Sequence, residues 1–189
     1  MVGIDEVGRG CWAGPLVAGA VILPTKLEID DASVRLRDSK QLSRKQREAT
    51  AQWLYNHALA IGLGWVWPNE IDEHGLTWAV RSAMARALNE VVVDYDDVII
   101  DGNINYLADN PRAHAIVRAD SSVPAVSAAS IVAKVARDTY MSELDESYDG
   151  YGFNTHVGYG TAAHIASLKA LGVSDIHRRS YKPIRKFMS

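Results

Sequence analysis

The chain has 189 residues, 48% of them hydrophobic and 23% charged, and these proportions predict a single globular domain over residues 1–189. Its one cysteine, Cys11, excludes both an internal disulfide framework and a cysteine-based zinc site, and it favours a reducing, cytoplasmic location. The formal charge of −3 argues against nucleic-acid binding through bulk positive charge, and no apolar run approaches the roughly 20 residues that cross a bilayer, so we expect no membrane association.

The first half of the chain contains both strand and helix patterns. Two apolar runs flank a glycine-rich turn near the N-terminus, which predicts two adjacent strands with a tight connection. Ser43 and Gln46 form a capping box that begins a helix. In chain order the predicted elements are strands over 1–7 and 15–24, a helix from Ser43 to about Ala60, a strand over 61–67 closed by Pro68, and a helix over 76–91.

In the second half, two short β-branched runs, DDVIID and AIVRAD, each end on an aspartate and predict strands. A mostly apolar stretch then predicts a helix pressed onto the sheet. These elements are strands over 96–101 and 115–120, a helix over 124–144 capped by Ser121 or Ser122, and a helix from a Thr161 cap to about Leu171 with Gly172 as its stop. Together the elements predict a mixed α/β fold with about five strands flanked by helices.

Four carboxylates lie at the ends of these predicted strands: Asp5, Glu6, Asp101 and Asp120. A single aspartate after a strand is most often a turn residue or a helix cap. Three strand ends with the same feature favour a shared site, because open α/β sheets bind ligands at strand ends. Neighbouring residues of a strand face opposite sides, so Asp5 and Glu6 share this site only if the strand bends near the following glycines or if Glu6 contributes its backbone carbonyl.

This set of carboxylates predicts a site for Mg²⁺ or Mn²⁺. Clustered carboxylates repel one another, and a divalent cation relieves the repulsion. Ligands that are all oxygen select a hard cation rather than Zn²⁺. Two such ions can stabilise both the attacking and the leaving oxygen of a phosphodiester displacement, so we expect two ions during catalysis.

The C-terminal segment, residues 175–189, is rich in positive charge although the chain as a whole is acidic. Its basic side chains are Arg178, Arg179, Lys182, Arg185 and Lys186. A basic surface beside an acidic pocket suits a metal-dependent enzyme that acts on a polyanion, and this segment is expected to contact the substrate. A solvated charged tail explains the composition equally well.

Six blocks of the sequence resemble ribonuclease HII, the type 2 ribonuclease H. In chain order they are GIDEVGRGCWAGPLV, RDSKQLSRKQRE, VIIDG, VRADSSVPAVSAASIVAKVARD, YGFNTHVGYGT and HRRSYKP. The resemblance implies a ribonuclease H-like fold and a metal-dependent endonuclease. Such an enzyme cuts the RNA strand of RNA–DNA hybrids and the 5′ side of a single ribonucleotide embedded in duplex DNA, leaving 3′-hydroxyl and 5′-phosphate ends. The metal-binding carboxylates of the family fall on the same four residues, Asp5, Glu6, Asp101 and Asp120.

The glycine–arginine–glycine loop of the family is present as Gly8, Arg9 and Gly10. The resemblance implies that main-chain groups of this loop bind the ribose 2′-hydroxyl, because residues without side chains permit a close backbone approach. It also implies that Arg9 binds a phosphate. A tight turn that needs positive φ explains the glycines as well, but it gives the arginine no role.

Further substrate-binding residues follow from the same resemblance. Tyr159 matches the family tyrosine that packs on the sugar beside the ribonucleotide, although a tyrosine in a glycine-rich loop is more often a lid over the core. Lys40 and Lys134 resemble basic residues that hold phosphates near the scissile bond, and Ser39 joins them. An ordinary ion pair between Lys134 and Asp138, four residues apart on the predicted helix, is the alternative.

Two other functions are weighed against the nuclease. A non-cleaving module that binds ribonucleotide junctions would be credible if one of the four carboxylates were replaced, and none is. A phosphohydrolase with an aspartyl nucleophile needs a paired-aspartate motif, whereas Glu6 follows Asp5 directly. No triad pattern includes a histidine, so His156, His164 and His177 are expected to be structural or to contact phosphate.

Two expectations concern the assembly and the end of the chain. We expect a monomer, since no exposed apolar helix pattern requires a partner. The long C-terminal helical extension of many family members is missing or reduced here, so the resemblance implies a modest affinity for the duplex.

Overall fold

The computed structural model describes residues 1–27, 29, 34–36 and 39–188. Within them, five strands form one mixed sheet, as the sequence predicts. The strands are β1 (Val2–Val7), β2 (Leu16–Ile22), β3 (Ala60–Val66), β4 (Val98–Asp101) and β5 (Ala113–Ile116). Their order across the sheet is β3-β2-β1-β4-β5.

The directions of the strands decide where the site forms. β1 pairs antiparallel with β2 and parallel with β4, while β2 and β3 are antiparallel and β4 and β5 parallel. β1, β4 and β5 therefore run in the same direction, and their carboxyl ends reach the same edge of the sheet. Asp5 of β1 and Asp101 at the end of β4 lie at this edge.

Helices cover both faces of the sheet. They are α1 (Arg44–His57), α2 (Pro68–His74), α3 (Leu76–Asn89), α4 (Ala119–Ser122), α5 (Pro124–Ser147), α6 (Phe153–His156), α7 (Ala162–Leu171) and α8 (Lys182–Arg185), with a short 3₁₀ helix over Ser39–Gln41. None of the helices in the described part of the chain is long and apolar enough to cross a membrane.

α5 packs against β1 and β2 at unusually close range. A Cβ atom at Gly3 would collide with the backbone of Ala125, and one at Gly19 would collide with the carbonyl of Ala129. These two glycines therefore let the helix backbone approach the strands directly. As a result, the central helix lies against the strand that carries Asp5.

α3 covers the opposite face of the sheet. Its residues Val80, Ala83 and Met84 are fully buried and pack in one cluster with Ile4 and Ile100 of the strands. The helical spacing of these apolar residues is the pattern that predicted the helix. Removing this apolar surface from water is the main force that holds the layer in place.

The ends of α1 and α7 follow the capping signals of the sequence. Ser43 and Gln46 form the predicted capping box of α1: the Gln46 N–H donates to the Ser43 hydroxyl at 3.3 Å, and the Ser43 N–H donates to the Gln46 side chain at 2.9 Å. Thr161 caps α7 by accepting from the His164 N–H at 3.2 Å. The same helix ends at Gly172, which has a φ of 79°.

The prediction of a strand that continues to Asp120 is wrong. β5 ends at Ile116, which pairs with Asp101, the last residue of β4, so no partner strand remains beyond it. Arg118 then adopts a left-handed backbone conformation, φ 59° and ψ 35°, and turns the chain into α4. Asp120 is therefore presented by a short helix and not by a strand end.

The predicted cap of α5 at Ser121 or Ser122 is also wrong. Both serines lie in α4, where their hydroxyls donate to the Arg118 carbonyl at 2.9 and 3.3 Å. The N-cap of α5 is Val123, and Pro124 occupies the first helical turn, where its missing N–H is not needed.

Four of the helices in the described residues, α2, α4, α6 and α8, were not predicted, and α2 is the longest of them. The sequence analysis placed Pro68 at the close of a strand, whereas the structure places it at the start of α2. Proline fits both positions, since it ends a strand and is tolerated in the first turn of a helix.

Candidate metal and substrate site

Three carboxylates meet at the carboxyl edge of the sheet. Asp5, Asp101 and Asp120 each offer an oxygen atom, and these atoms all lie within 4.8 Å of one another. The backbone N–H of Asp120 donates to Oδ1 of Asp101 at 3.4 Å, which ties α4 to the end of β4. Asp5 and Asp120 are buried, and Asp101 is partly exposed.

The surroundings of Asp5 favour the protonated form of its carboxyl group. Burial, together with the nearby charges of Glu6 and Asp101, raises the pKa of Asp5 to about 8. A hydrogen bond from Ser130 of α5 lowers the same pKa but does not offset the burial. At neutral pH the metal-free protein therefore holds a proton on Asp5. A hard divalent cation would displace this proton and relieve the repulsion, so the oxygen ligands fit Mg²⁺ or Mn²⁺.

Glu6 is not part of this three-carboxylate group. β1 keeps its regular pairing at this point, with Asp5 opposite Gly19 and Glu6 opposite Ala18, so successive side chains point to opposite faces. The Glu6 carboxylate accepts from Nη1 of Arg9 at 3.1 Å. Burial raises the pKa of Glu6, and the charge of Arg9 lowers it. The strand does not bend to bring both acidic side chains together.

The predicted site residues line two adjoining cavities. The first has a volume of about 360 Å³ and is lined by ten of them: Asp5, Glu6, Gly8, Arg9, Gly10, Ser39, Lys40, Asp101, Lys134 and Tyr159. The second, of about 460 Å³, contains Asp120 beside Arg118 and shares Lys40 and Asp101 with the first. All eleven predicted residues therefore line one of two connected depressions.

The two glycines of the recognition loop, which we define as residues 8–10, have different reasons to be glycine. Gly8 has a φ of 93°, and a Cβ there would meet Nε of Arg137 at 2.6 Å and the Pro15 carbonyl at 2.9 Å. The fold itself requires this glycine. A Cβ at Gly10 would meet nothing within 4 Å. Gly10 is thus not required by packing within the protein, and its open side borders the first cavity.

Tyr159 and Lys134 also line this cavity, and they contact each other. Nζ of Lys134 lies 5.7 Å from the centre of the Tyr159 ring, and it also donates to Asp138 at 2.8 Å. The ion pair considered as an alternative is therefore present, at a residue that also lines the cavity. Burial, followed by the contact with Cys11, raises the pKa of Tyr159 to about 12. Tyr159 is nevertheless 38% exposed as a residue, so a ligand in the cavity can reach it.

Ser39 is connected to the carboxylate cluster through Ser130, a residue that was not predicted from the sequence. The hydroxyls of Ser39 and Ser130 lie 2.9 Å apart, and Ser130 in turn hydrogen-bonds Asp5. Ser130 stands four residues before Lys134 on α5, so both share one helix face. That spacing was the available signal for Ser130.

The three histidines form a buried cluster away from both cavities. Nε2 of His164 lies 3.0 Å from Nε2 of His177, and His164 stacks on His156 with ring centres 4.4 Å apart. Burial lowers the pKa of His164 and of His177 to about 4. These histidines were expected either to be structural or to contact phosphate, and their burial supports the structural role.

The basic residues of the C-terminal segment divide into two groups. Arg178 is fully buried, so its charge does not contribute to a basic surface. The remaining four are exposed: Arg179, Lys182, Arg185 and Lys186.

Comparison with known proteins gives the family of this fold and site. The family model described as Ribonuclease HII matches residues 2–184. The chain belongs to the ribonuclease HII family. It is similar to the ribonuclease HII of Nitrosococcus oceani, with 46% identity over 100% of this chain and 91% of that protein. It is also similar to the ribonuclease HII of Dichelobacter nodosus, with 44% identity over 97% and 95% of the two chains.

Solved structures agree with this assignment. The crystal structure of the ribonuclease H2 from Pyrococcus horikoshii OT3 matches with a TM-score of 0.83 and 29% identity, covering 98% of this chain and 95% of that one. The structure of Bst-RNase HIII in complex with Mn²⁺ shares the fold, with a TM-score of 0.68 and 19% identity, covering 99% and 68%. As a ribonuclease HII, the protein is a metal-dependent ribonuclease H that acts on nucleic acid.

Proposed function

We propose that this ribonuclease HII cuts the RNA strand of RNA–DNA hybrids and, on the 5′ side, single ribonucleotides embedded in duplex DNA. The products carry 3′-hydroxyl and 5′-phosphate ends. One observation carries the proposal: the carboxylate cluster, the recognition loop and Tyr159 border one pair of connected cavities. A nuclease that selects ribonucleotides needs this combination, because the reacting phosphate and the 2′-hydroxyl are neighbours in the substrate.

The carboxylates are proposed to hold two divalent ions. Asp5, Asp101 and Asp120 supply the oxygen ligands, and Glu6 is the further carboxylate of the family set. When bound, such ions stabilise negative charge on the attacking and leaving oxygens of the phosphodiester. The proton held by Asp5 in the metal-free protein is released as the site is loaded.

The other residues are proposed to bind and orient the nucleic acid. Gly10 lets the backbone approach the ribose, and the Arg9 side chain, which is 47% exposed, can reach a phosphate. Lys40 borders both cavities and Lys134 borders the first, so each can hold a phosphate beside the cluster. The exposed face of the Tyr159 ring offers a packing surface for a sugar.

A cleavage assay tests the proposal. The protein is incubated with a DNA duplex that contains one ribonucleotide, with Mn²⁺ or Mg²⁺ and then with excess chelator. We expect a single cut on the 5′ side of the ribonucleotide that chelator abolishes. Retained binding without any cut would support the junction-binding alternative. Hydrolysis of a small aryl phosphate without duplex cleavage would support the phosphohydrolase.

Four further expectations are part of this proposal. We propose that residues 1–189 act as one catalytic domain whose exposed C-terminal basic residues contact the duplex, and that the enzyme acts as a monomer in the cytoplasm. Light scattering of the purified protein measures the oligomeric state. A stable dimer would contradict the monomer.

A further inference from the structure

The backbone carbonyl of Arg9, in the middle of the recognition loop, accepts two hydrogen bonds from the far end of the chain. The Tyr181 hydroxyl donates to it at 2.7 Å, and Nη1 of Arg178 donates to it at 3.2 Å. Nε of Arg178 also donates to the carbonyl of Gly14 at 3.0 Å. We call residues 178–181 the C-terminal strap.

The burial of Arg178 is explained by these carbonyl oxygens. Its side chain is fully buried, and no carboxylate forms an ion pair with it among the described residues. Burying a cation is costly unless its N–H groups find acceptors. Its acceptors are the carbonyls of Arg9 and Gly14 and the Tyr181 hydroxyl, which accepts from Nη1 at 3.0 Å, while Nη2 has no hydrogen-bond partner among the described residues. The buried guanidinium therefore fixes the positions of the Arg9 and Gly14 carbonyls.

The strap is itself fixed to a helix of the core. The Asp72 carboxylate of α2 accepts from the N–H of Arg179 at 2.8 Å and from the N–H and hydroxyl of Ser180 at 2.8 and 2.6 Å. In addition, the N–H of Arg178 donates to the carbonyl of Trp12 at 2.8 Å. The strap that carries the Arg178 and Tyr181 donors is thus held by hydrogen bonds to Asp72 and to the carbonyl of Trp12.

The geometry of one peptide group connects the strap to the substrate. The carbonyl of Arg9 and the N–H of Gly10 belong to the same peptide, and the structure contains no cis peptide among the described residues. In a trans peptide these two groups point in opposite directions. Fixing the carbonyl toward the strap therefore turns the Gly10 N–H away from it. Within the described residues this N–H donates no hydrogen bond, and Gly10 lines the first cavity.

We propose that Arg178 and Tyr181 are positioning residues that aim the Gly10 N–H at the ribonucleotide. The inference rests on the proposed function, since it explains how the loop selects a ribose. Neither residue lines the first cavity, so neither is required to touch the substrate. Loss of a strap donor frees the peptide to rotate, and the enzyme then discriminates less well between a ribonucleotide and a deoxyribonucleotide.

The variant Tyr181→Phe tests this inference, because it removes one hydroxyl and keeps the ring. Tyr151→Phe is the matched control, since the Tyr151 hydroxyl also donates to a backbone carbonyl, that of Gly172 at 3.0 Å, and lines neither cavity. Both changes are introduced beside Asp101→Asn, which prevents cutting during the measurement. The dissociation constants for a duplex with one ribonucleotide and for the matching all-DNA duplex are then compared.

We expect Tyr181→Phe to reduce the preference for the ribonucleotide duplex about fivefold, the effect of one weakened hydrogen bond. Tyr151→Phe should leave the preference unchanged, and the two variants should have similar melting temperatures. In the cleaving enzyme, Tyr181→Phe should lower kcat/KM on the ribonucleotide duplex by a similar factor. Arg178→Lys, which keeps a charge but loses the two-point contact, should lower the preference further.

Each other outcome has a separate meaning. An unchanged preference in Tyr181→Phe overturns the inference, and so does an equal loss of affinity for both duplexes. A wild-type protein that neither prefers nor cuts the ribonucleotide duplex overturns the proposed function, and the inference with it.

Discussion

The guanidinium of Arg9 donates to the carboxylate of Glu6 at 3.1 Å, so a side chain expected to bind phosphate is held by one expected to bind metal. Arg9 also lies over Tyr106, with its guanidinium carbon 6.0 Å from the ring centre. Glu6 therefore has a second task besides any contact with an ion. This arrangement separates it from the three clustered aspartates, and mutation can detect the difference.

We expect Asp101→Asn to abolish both metal binding and cutting, and Glu6→Gln to weaken them less. Asp101 belongs to the three-carboxylate group, whereas Glu6 does not. Losing an ion removes several kcal/mol of transition-state stabilisation, which corresponds to a rate loss of about a thousandfold or more. The rise in melting temperature with added Mn²⁺ measures metal binding, and duplex affinity is the control that should persist. Equal loss of the Mn²⁺ effect in both variants would make Glu6 a full member of the group.

The two loop glycines should respond differently to alanine. Gly8→Ala places a Cβ against Arg137 at a positive φ and should lower the free energy of unfolding by about 1–3 kcal/mol. Gly10→Ala meets no protein atom and should change that free energy by less than about 0.5 kcal/mol. Cleavage of a ribonucleotide duplex by Gly10→Ala should nevertheless fall by about tenfold or more, because the new methyl group keeps the ribose away. Cleavage at the wild-type rate would show that the substrate does not approach this residue.

Tyr159→Ala should reduce cleavage at a single ribonucleotide more than cleavage of a continuous RNA–DNA hybrid. The exposed part of the ring can pack on one sugar, and a continuous hybrid offers many alternative registers for cutting. Tyr159→Phe keeps the ring and should retain most of the selectivity. The ratio of the two cleavage rates is the measurement. A uniform loss on both substrates would identify a purely structural tyrosine.

The buried histidine cluster should make the protein sensitive to acid. The pKa of His164 and of His177 falls from 6.5 to about 4 on folding. Between these two values the unfolded chain binds more protons than the folded one, so the free energy of unfolding decreases as the pH is lowered from 6.5 toward 4. Above pH 6.5 the pair adds no pH dependence.

Denaturant unfolding at pH 7 and pH 5 measures this effect. The double variant His164→Gln with His177→Gln should lose part of the difference between the two pH values. His114→Gln, at an exposed position, is the matched control and should keep it. A double variant with the full wild-type pH dependence would rule out the cluster as its source.

Local sequence signals were sufficient where a short stretch decides the structure. The capping box of Ser43 and Gln46 gave the start of α1, and apolar spacing gave α3. The strand-end pattern gave the four carboxylates and the resemblance gave the other seven site residues. The structure places all eleven around two adjoining cavities.

Tertiary relationships were not accessible from local patterns. Asp120 lies in a helix because β5 pairs only as far as β4 extends. The length over which two strands pair depends on both strands and not on the local sequence of one. Arg178 belongs to a run of charges that is typical of a solvated surface, yet the fold buries it against loop carbonyls. Composition cannot distinguish a buried arginine from an exposed one when its acceptors are backbone oxygens.

The hydrogen bonds from Arg178 and Tyr181 to Arg9 span 169 and 172 positions of the chain. A ribosome therefore releases Arg9 169 residues before Arg178 and 172 residues before Tyr181. Since domains acquire structure progressively as they are synthesised, the nascent polypeptide can pair its first strands while the peptide between Arg9 and Gly10 is still unrestrained. The Arg9 carbonyl therefore gains these two hydrogen bonds only after Arg178 and Tyr181 have been synthesised.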